Sequence, residues 1–469
     1  MAKLELDDIQ GILARGYGRL RAARFITFGI DDPSRARRWL AGLADDVTPA
    51  SADPRDKAVH VAFTAAGMSG LGLGETTTAG FPHELREGMA TTHRQRMLGD
   101  VDANAPGGWR WGGPSTRAVD GVLLLYAVDE PSMESLAAGH LTRMATGGVS
   151  PIATLNTDDI GDSEPFGFRD GISQPIVTEF GKEGSKPHTV AAGEFVLGYP
   201  NEYGLLTDRP LVPAEADRSN LLPRDSAGSE AHDFGRNGSY VVLRQLEQDV
   251  AGFWQFLDGA TKNSEGGSQP DERVRLGARM VGRWPGGAPL AMSPDTDRED
   301  LSKENEFGYH KQDAEGLGCP IGAHVRRANP RDSLDPNPGS DSSIALNRRH
   351  RILRRGRAYG PRLTVDDALV AGAGDGVERG LHFMCLVGNI ARQFEFIQHT
   401  WSNNPKFDGL YEEVDPMIGA RGPNGGTFTI PDRPVRQRIT GIPSFVTVRG
   451  GAYFFLPGIR ALRYLASLS

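Results

Sequence analysis

The stretch Gly238-Ser239-Tyr240-Val241-Val242-Leu243-Arg244 decides the fold, because it is a clear strand and a helix follows it closely. Its β-branched and aromatic residues are typical of a buried strand. The segment from about 247 to 257 then has apolar residues at the spacing of one helix face. Those residues are Val250, Phe253, Trp254 and Leu257. A further helix is predicted over about 271–281, so the second half of the chain opens as a strand followed by helices.

The first half of the chain has the same rhythm of strands and helices. Strands are predicted over about 23–30, 58–63, 119–128 and 149–156, and helices over about 33–44 and 131–145. The order is strand–helix–strand, repeated once. Further strands are predicted in the second half near 351–359, 381–387 and 451–456, with helices over 389–401 and 459–468.

The units are short and irregular, which favours an α+β fold over a doubly wound parallel sheet. We expect two packed α/β-sandwich halves of related topology, over residues 1–180 and 238–469. The segment 181–237 between them is rich in Gly, Pro, Asp and Ser and is predicted to be a long ordered loop. Two insertions, about 284–318 and 333–347, are predicted to be surface loops.

Composition excludes several classes of function. The 469 residues contain two cysteines, too few for a disulfide framework or for a zinc or iron–sulfur site built on several thiolates. The net charge of −8 disfavours general affinity for nucleic acid or anionic lipid. No apolar run is long enough to span a membrane. The start of the chain lacks the pattern of a signal peptide, so we expect a cytoplasmic protein, with secretion as the alternative if a leader has been removed.

The segment Phe166–Pro175 contains a candidate catalytic residue, Asp170, between Gly167 and Gly171. Asp-Gly turns are common, so the segment alone is most simply a turn. Because glycine permits close approach of the backbone to a ligand, the segment could also hold a carboxylate over a flat cofactor.

The segment Cys319–Arg331 has one histidine, His324, among small residues and before three arginines. A lone histidine is usually structural, but a single axial imidazole is all that a peroxidase-type haem needs. The arginines could form charge-assisted bonds with haem propionates. His324 is therefore the candidate metal ligand.

Arginine dominates the segment 348–360. The segment could be a solvated or anion-binding face. The net negative charge of the chain argues against a nucleic-acid-binding patch. In a strand, Ile352, Arg354 and Gly356 share one face and Arg355 lies on the other. Arg354 is the candidate for a buried pocket, with Arg355 as the alternative. The apolar runs 380–385 and 453–457 are predicted core strands that could also line a haem cavity.

Together these segments resemble the dye-decolorizing peroxidase family of haem enzymes, and its larger branches in particular. Gly167 to Gly171 matches that family's glycine–two residues–aspartate–glycine signature. The segment Cys319–Arg331 resembles the surroundings of its proximal histidine, and Arg354–Gly360 resembles the strand that carries its distal arginine. The likeness extends over nearly the whole chain, from Leu6 to Phe455, and includes 237–250.

The resemblance implies two ferredoxin-like halves with antiparallel sheets and one haem b per chain, bound by the C-terminal half. It implies that Asp170 and Arg354 are the distal catalytic pair and that His324 is the axial iron ligand. The further cofactor-binding residues that we expect are Arg326, Gly171, Ile172, Leu381 and Phe383. The implied activity is oxidation of dyes, phenols or other aromatic donors by hydrogen peroxide, with Mn(II) as a further possible donor.

In the mechanism that this suggests, Asp170 moves a proton between the two peroxide oxygens and Arg354 stabilises the departing one. Glu395 is a candidate partner for the second nitrogen of His324. Trp401, Tyr359 and Trp254 are candidate electron relays. Two alternatives remain open at this point: haem binding, transport or iron release without peroxidase turnover, and a scaffold with no cofactor. The sequence does not indicate an oligomeric state.

Overall fold

The computed structural model describes residues 3–370 and 375–468. Met1 and Ala2, which belong to the start considered for a signal peptide, lie outside the described residues. The strands are β1 Ala22–Ile30, β2 Lys57–Phe63, β3 Gly121–Ala127, β4 Val149–Asn156, β5 Leu211–Val212, β6 His232–Asp233, β7 Ser239–Gln248, β8 Leu353–Arg354, β9 Arg357–Tyr359, β10 Gly380–Val387, β11 Gly426–Ile430, β12 Gln437–Ile442 and β13 Val446–Leu456. The α-helices are α1 Pro33–Asp46, α2 Ala65–Gly70, α3 Glu75–Ala79, α4 His83–Glu87, α5 Thr92–Leu98, α6 Glu130–Thr146, α7 Val250–Ala260, α8 Pro270–Val281, α9 Tyr309–Asp313, α10 His324–Ala328, α11 Asp341–Arg348, α12 Val365–Val370 and α13 Ile459–Ser467.

One antiparallel sheet runs through both halves of the molecule. Its order is β4-β1-β3-β2-β13-β7-β10-β8, and β9 also pairs with β10. In the first half, β1 lies between β4 and β3, and β2 lies on the far side of β3. In the second half, β7 lies between β13 and β10, and β8 lies on the far side of β10. This is the ferredoxin-like strand order, so the predicted α+β fold with two ferredoxin-like halves is confirmed. The two halves share one sheet because β13 pairs with β2, at Phe455 and Phe63.

Several helices begin where a capping aspartate follows a strand. Asp32 and Asp129 accept hydrogen bonds from backbone N–H groups in the first turns of α1 and α6, and each is followed within two residues by a proline. Asp249 does the same for α7. The helix predicted from about 247 therefore begins three residues later, because β7 continues to Gln248 and pairs there with β13.

Two predicted elements take a different form. The strand predicted over 351–359 is divided into β8 and β9, with Arg355 and Gly356 between them. The segment predicted as helix over 389–401 forms two π-helical turns, Ala391–Glu395 and Ile397–Ser402. The long connecting segment is ordered and contributes to the core, since Phe195 and Val196 are fully buried.

Apolar residues cover both faces of the first half of the sheet. Trp39 and Leu40 of α1 and Met133 of α6 belong to the cluster on one face. On the other face, Ile9 and Ile12 of the N-terminal segment join residues of the sheet. Among the described residues, no helix has both the length and the apolar character needed to cross a membrane.

Candidate active site

A cavity of about 290 Å³ lies against the strands of the second half. The residues of the sheet that line it are Arg244, Leu246, Gln248, Arg354, Leu381, Phe383, Val446 and Val448. The turn that precedes Ser173 and the segment around α10 form other walls. Mostly apolar walls with a few converging polar groups are typical of a site for a cofactor or another small molecule.

The turn that carries Asp170 depends on its two glycines. Gly167 and Gly171 have φ values of +97° and +80°, in the left-handed region where a side chain is unfavourable. Trp254 of α7 supports the turn, because its Nε1 donates to the carbonyl of Phe166 at 3.1 Å. The Asp170 side chain is 42% accessible, although it lines the cavity rather than the outer surface.

Arg354 lies beside Asp170 in the cavity. Its Nη1 is 2.8 Å from Asp170 Oδ1, and that oxygen also accepts the Gly171 N–H at 2.6 Å. Burial acts to raise the pKa of Asp170, but the Arg354 guanidinium and the Gly171 N–H outweigh it, so the pKa lies below its usual value. Asp170 is therefore an ionised carboxylate, and hence a proton acceptor, at neutral pH.

The neighbouring Arg355 points to the opposite side of the strand. Its Nε and Nη2 donate to the carbonyls of Ile12 and Leu13, at 2.8 and 3.0 Å. The alternation predicted for this strand therefore holds through the break between β8 and β9. The structure places Arg354 in the cavity, and Arg355 against the N-terminal segment.

His324, the first residue of α10, also lines the cavity. Its Nδ1 is 2.8 Å from Oδ2 of Asp415, which is fully buried and also accepts the Met417 N–H. Burial acts to lower the pKa of His324, but the charge and hydrogen bond of Asp415 outweigh it, and the pKa is raised. Because Nδ1 is engaged, Nε2 is the nitrogen left for a ligand, and a carboxylate partner increases its basicity.

Two predictions about this region are wrong. Glu395 is not the partner of His324: it is buried elsewhere and accepts hydrogen bonds from Tyr453 Oη at 2.8 Å and Arg94 Nη1 at 2.6 Å. Arg326 does not reach the cavity, because its Nη1 donates to the carbonyls of Asp313 and Cys319 and the side chain is fully buried there.

Arg283, Arg331 and Arg351 are among the arginines that do line the cavity. Among the described residues none of the three forms an ion pair, and Arg283 Nη2 and Arg331 Nε have no hydrogen-bond partner. Burial and the charges of Arg331 and Arg354 lower the pKa of Arg351 to about 9. An anionic ligand in the cavity would therefore stabilise these guanidinium groups.

The remaining predicted residues divide into two sets. Gly171, Ile172, Leu381 and Phe383 all line the cavity. Trp401, Tyr359 and Trp254 are buried, so none of the three candidate relays is itself at the surface. Within residues 3–370 and 375–468, no group of three or more His, Cys, Asp or Glu side chains is arranged to hold a metal ion.

The sequence did not indicate Asp415, and the arginine that it indicated, Arg326, lies outside the cavity. Asp415 is 91 residues beyond His324 in an irregular loop, and no local pattern marks it. Arg331 and Arg351 were within the arginine-rich segments that the sequence singled out. Nothing in their spacing separates them from Arg326.

Comparison with known proteins defines the class. No protein-family model matches the chain. The chain is 30% identical over 480 residues to the multifunctional dye peroxidase DyP2 of Amycolatopsis sp., covering 98% of this chain and 96% of the relative. The crystal structure of a fungal DyP-type peroxidase from Auricularia auricula-judae matches with a TM-score of 0.79 at 25% identity, over the whole of both chains. A dye-decolorizing peroxidase in complex with 2,6-dimethoxyphenol matches with a TM-score of 0.77 at 26% identity, over 99% of this chain and 100% of the other. This chain therefore belongs to the dye-decolorizing peroxidase family and is a peroxidase.

Members of this family are haem peroxidases, and the residues of the cavity fit a haem. The Nε2 atom of His324 is available as an axial ligand. The guanidinium groups of Arg283, Arg331 and Arg351, which form no ion pair within the described part of the chain, suit two propionates. Leu381 and Phe383 supply apolar surface for the macrocycle.

Proposed function

We propose that the chain binds one haem b in this cavity, that His324 would be the iron ligand, and that Asp170 and Arg354 are the catalytic pair. The observation that carries the proposal is the ion pair of 2.8 Å between Arg354 and Asp170, in the same cavity as a histidine whose other nitrogen is held by a buried carboxylate. Arg351, Arg331 and Arg283 would hold the propionates.

Haem, when bound, would supply the iron and the redox chemistry for the reduction of peroxide. The protein supplies the proton transfer. The ionised Asp170 accepts a proton from one peroxide oxygen and returns it to the other, which leaves as water. Arg354 stabilises the negative charge that develops on the departing oxygen. The Asp415 carboxylate holds the His324 imidazole in the tautomer that presents Nε2.

We further propose dyes and phenols as electron donors. The names of the relatives support this class, and one related structure holds 2,6-dimethoxyphenol. Mn(II) is a further donor to be assayed beside them.

The test compares Asp170→Asn with Asp162→Asn in haem-loaded protein. Asp162 is on the same turn, is 80% exposed and pairs with Arg169, so its replacement removes a nearby charge outside the cavity. We expect Asp170→Asn to slow the reaction with peroxide by about 10²–10⁴-fold, the usual contribution of a general base. Asp162→Asn should match the wild type. Rapid-mixing spectroscopy of the Soret band measures both.

Equal rates in the wild type and Asp170→Asn would overturn the role of Asp170. A wild-type protein that binds haem but oxidises neither 2,6-dimethoxyphenol nor an anthraquinone dye would favour haem binding or iron release instead.

A further inference from the structure

A second carboxyl group lies in the turn that carries Asp170. Glu164 Oε1 accepts the Phe168 N–H at 3.1 Å, and its Oε2 accepts the Phe166 N–H at 3.0 Å. The backbone closes the same turn, because the Glu164 N–H donates to the Phe168 carbonyl and the Gly167 N–H donates to the Glu164 carbonyl. The Glu164 side chain is thus the internal brace of the segment that ends at Asp170, and it also lines the cavity.

Gln248 of β7 connects this brace to the sheet. Its Nε2 donates to Glu164 Oε2 at 2.8 Å, while its Oε1 is buried and has no hydrogen-bond partner among the residues that the structure describes. An amide can present either a donor or an acceptor by rotating. Gln248 can therefore donate to an ionised Glu164 and accept from a protonated one, so the site accommodates both states.

Burial is the main reason that Glu164 titrates near neutral pH. Burial raises the pKa of Glu164 to about 7, against the hydrogen bonds from Phe166, Gln248 and Phe168, and the charge of Asp170 adds to the increase. From the other wall of the cavity, His324 on α10 interacts electrostatically with Glu164. The pKa of Asp170 moves in the opposite direction. Two carboxyl groups with opposed shifts in one cavity are a common sign of divided acid–base roles.

We propose that Glu164 is a positioning residue for Asp170, and that its ionisation controls how firmly the turn holds the catalytic carboxylate. The proposal rests on the role proposed above for Asp170. An ionised Glu164 accepts two backbone N–H groups in charge-assisted bonds, which are stronger than those to a neutral acid. The peroxide reaction therefore speeds up as pH rises and Glu164 ionises.

The first experiment measures the rate constant of the haem-loaded enzyme with peroxide across the pH range that spans the Glu164 pKa of about 7. In the wild type we expect the rate to rise through this range. Glu164→Gln keeps the size of the side chain but turns an NH₂ group toward one backbone N–H. We expect it to be slower, by up to about 10²-fold, and to lose the pH dependence, since a small misplacement of a catalytic group has a large effect. Asp162→Asn should keep the wild-type profile.

The second experiment detects the proton itself by infrared titration. The wild type and Asp162→Asn should show the stretching band of a protonated carboxyl that disappears as pH rises through about 7. Glu164→Gln should lack it. Gln248→Leu leaves the turn intact and removes one hydrogen-bond donor to the ionised Glu164. The Glu164 pKa should therefore rise, and the band should disappear at a higher pH than in the wild type.

The proposal would be overturned if Glu164→Gln kept either the pH dependence of the rate or the carboxyl band. It would also be overturned if the band of Gln248→Leu disappeared at the same pH as in the wild type. Failure of the proposed function has a different signature. Asp170→Asn would then react with peroxide as fast as the wild type, whatever the infrared band does.

Discussion

Strands β3 and β10 hold the same place in the two halves of the sheet and have opposite surroundings. Each is the third strand of its half, next to the first. β3 is buried at every position. On β10, Leu381 and Phe383 are only half-buried, at alternate positions, and both line the cavity.

The difference lies in what covers each strand. In the first half, Trp39 and Met133 of the two helices belong to the same apolar cluster as Leu123 of β3. In the second half, α7 packs its apolar face against Phe166 and Phe168 of the turn that carries Asp170, in a separate cluster. The same topology thus forms a filled core in the first half and one wall of a cavity in the second half. The chemistry resides in the segments that replace the helix cover.

The largest expected effect comes from His324→Ala, which removes the proposed axial ligand from the cavity and leaves the first half untouched. We expect loss of the Soret band after hemin addition and loss of peroxidase activity, with a lower unfolding temperature of the apoprotein because the buried Asp415 loses its partner. Absorbance titration with hemin and differential scanning calorimetry measure this. His399→Ala, at an exposed histidine, is the control and should behave as wild type. Retention of a wild-type Soret band in His324→Ala would exclude this histidine as the ligand.

Arg354→Leu is expected to slow the peroxide reaction by about 10²–10³-fold, as loss of a charge-stabilising donor does in other enzymes. Arg355→Leu is the matched variant on the opposite face of the strand. It leaves the carbonyls of Ile12 and Leu13 without their donors. Its cost should appear as about 1–3 kcal/mol of unfolding free energy, with the rate unchanged. Rapid mixing and denaturant unfolding distinguish the two, and a slower peroxide reaction in Arg355→Leu would reverse the assignment.

The sequence could predict those parts of the site that are local. The glycines around Asp170, the small residues around His324 and the alternation that separates Arg354 from Arg355 are all readable within a few residues. Asp415 could not be predicted, because its contact with His324 depends on a loop fold 91 residues further along the chain. Arg326 was a poor choice for the same reason: its bonds to backbone carbonyls depend on how the surrounding loop closes.

The fold shows the same limit. The periodicity of the strands and helices indicated two related halves. Their fusion into one sheet depends on a contact between Phe63 and Phe455, which are almost the whole chain apart. α7 begins later than its apolar spacing predicts, because that spacing overlaps the end of β7, which is set by pairing with β10 and β13.

Asp415→Asn tests how far the proximal side of the cavity depends on its buried partner. The amide keeps the size of the side chain and removes the charge that raises the pKa of His324. We expect hemin affinity or peroxidase activity to fall by about 10–100-fold, the usual effect of losing a partner of a metal ligand. Glu412→Gln, an exposed residue of the same loop, is the control. If both variants bound hemin as tightly as the wild type, hemin binding would not depend on Asp415.

The comparison of β3 with β10 predicts different costs for the same substitution. Leu123→Ala removes a fully buried side chain from the filled core and should lower the unfolding free energy by about 2–5 kcal/mol. Leu381→Ala enlarges a space that already exists, so its cost in the apoprotein should be clearly smaller. Chemical denaturation of both apoproteins measures the difference. Equal costs would mean that β10 is as tightly covered as β3.

The smallest expected effect is a shift in the acid limb of the peroxide reaction. In the wild type, the Asp170 pKa lies below its ordinary value of 3.8, so this carboxylate stays ionised down to about that pH, and its own protonation slows the reaction only below it. Two opposing effects set the direction of this pKa shift: Arg354 favours the ionised form of Asp170, while burial favours the neutral form. In Arg354→Leu the burial effect remains without its compensation, and the acid limb should move to a higher pH than in the wild type. Arg355→Leu should leave the limb in place, because its side chain lies on the other face of the strand. Rate constants for peroxide measured toward acid pH in the three proteins give the comparison, and an acid limb that stays at the wild-type pH in Arg354→Leu would show that another group titrates there.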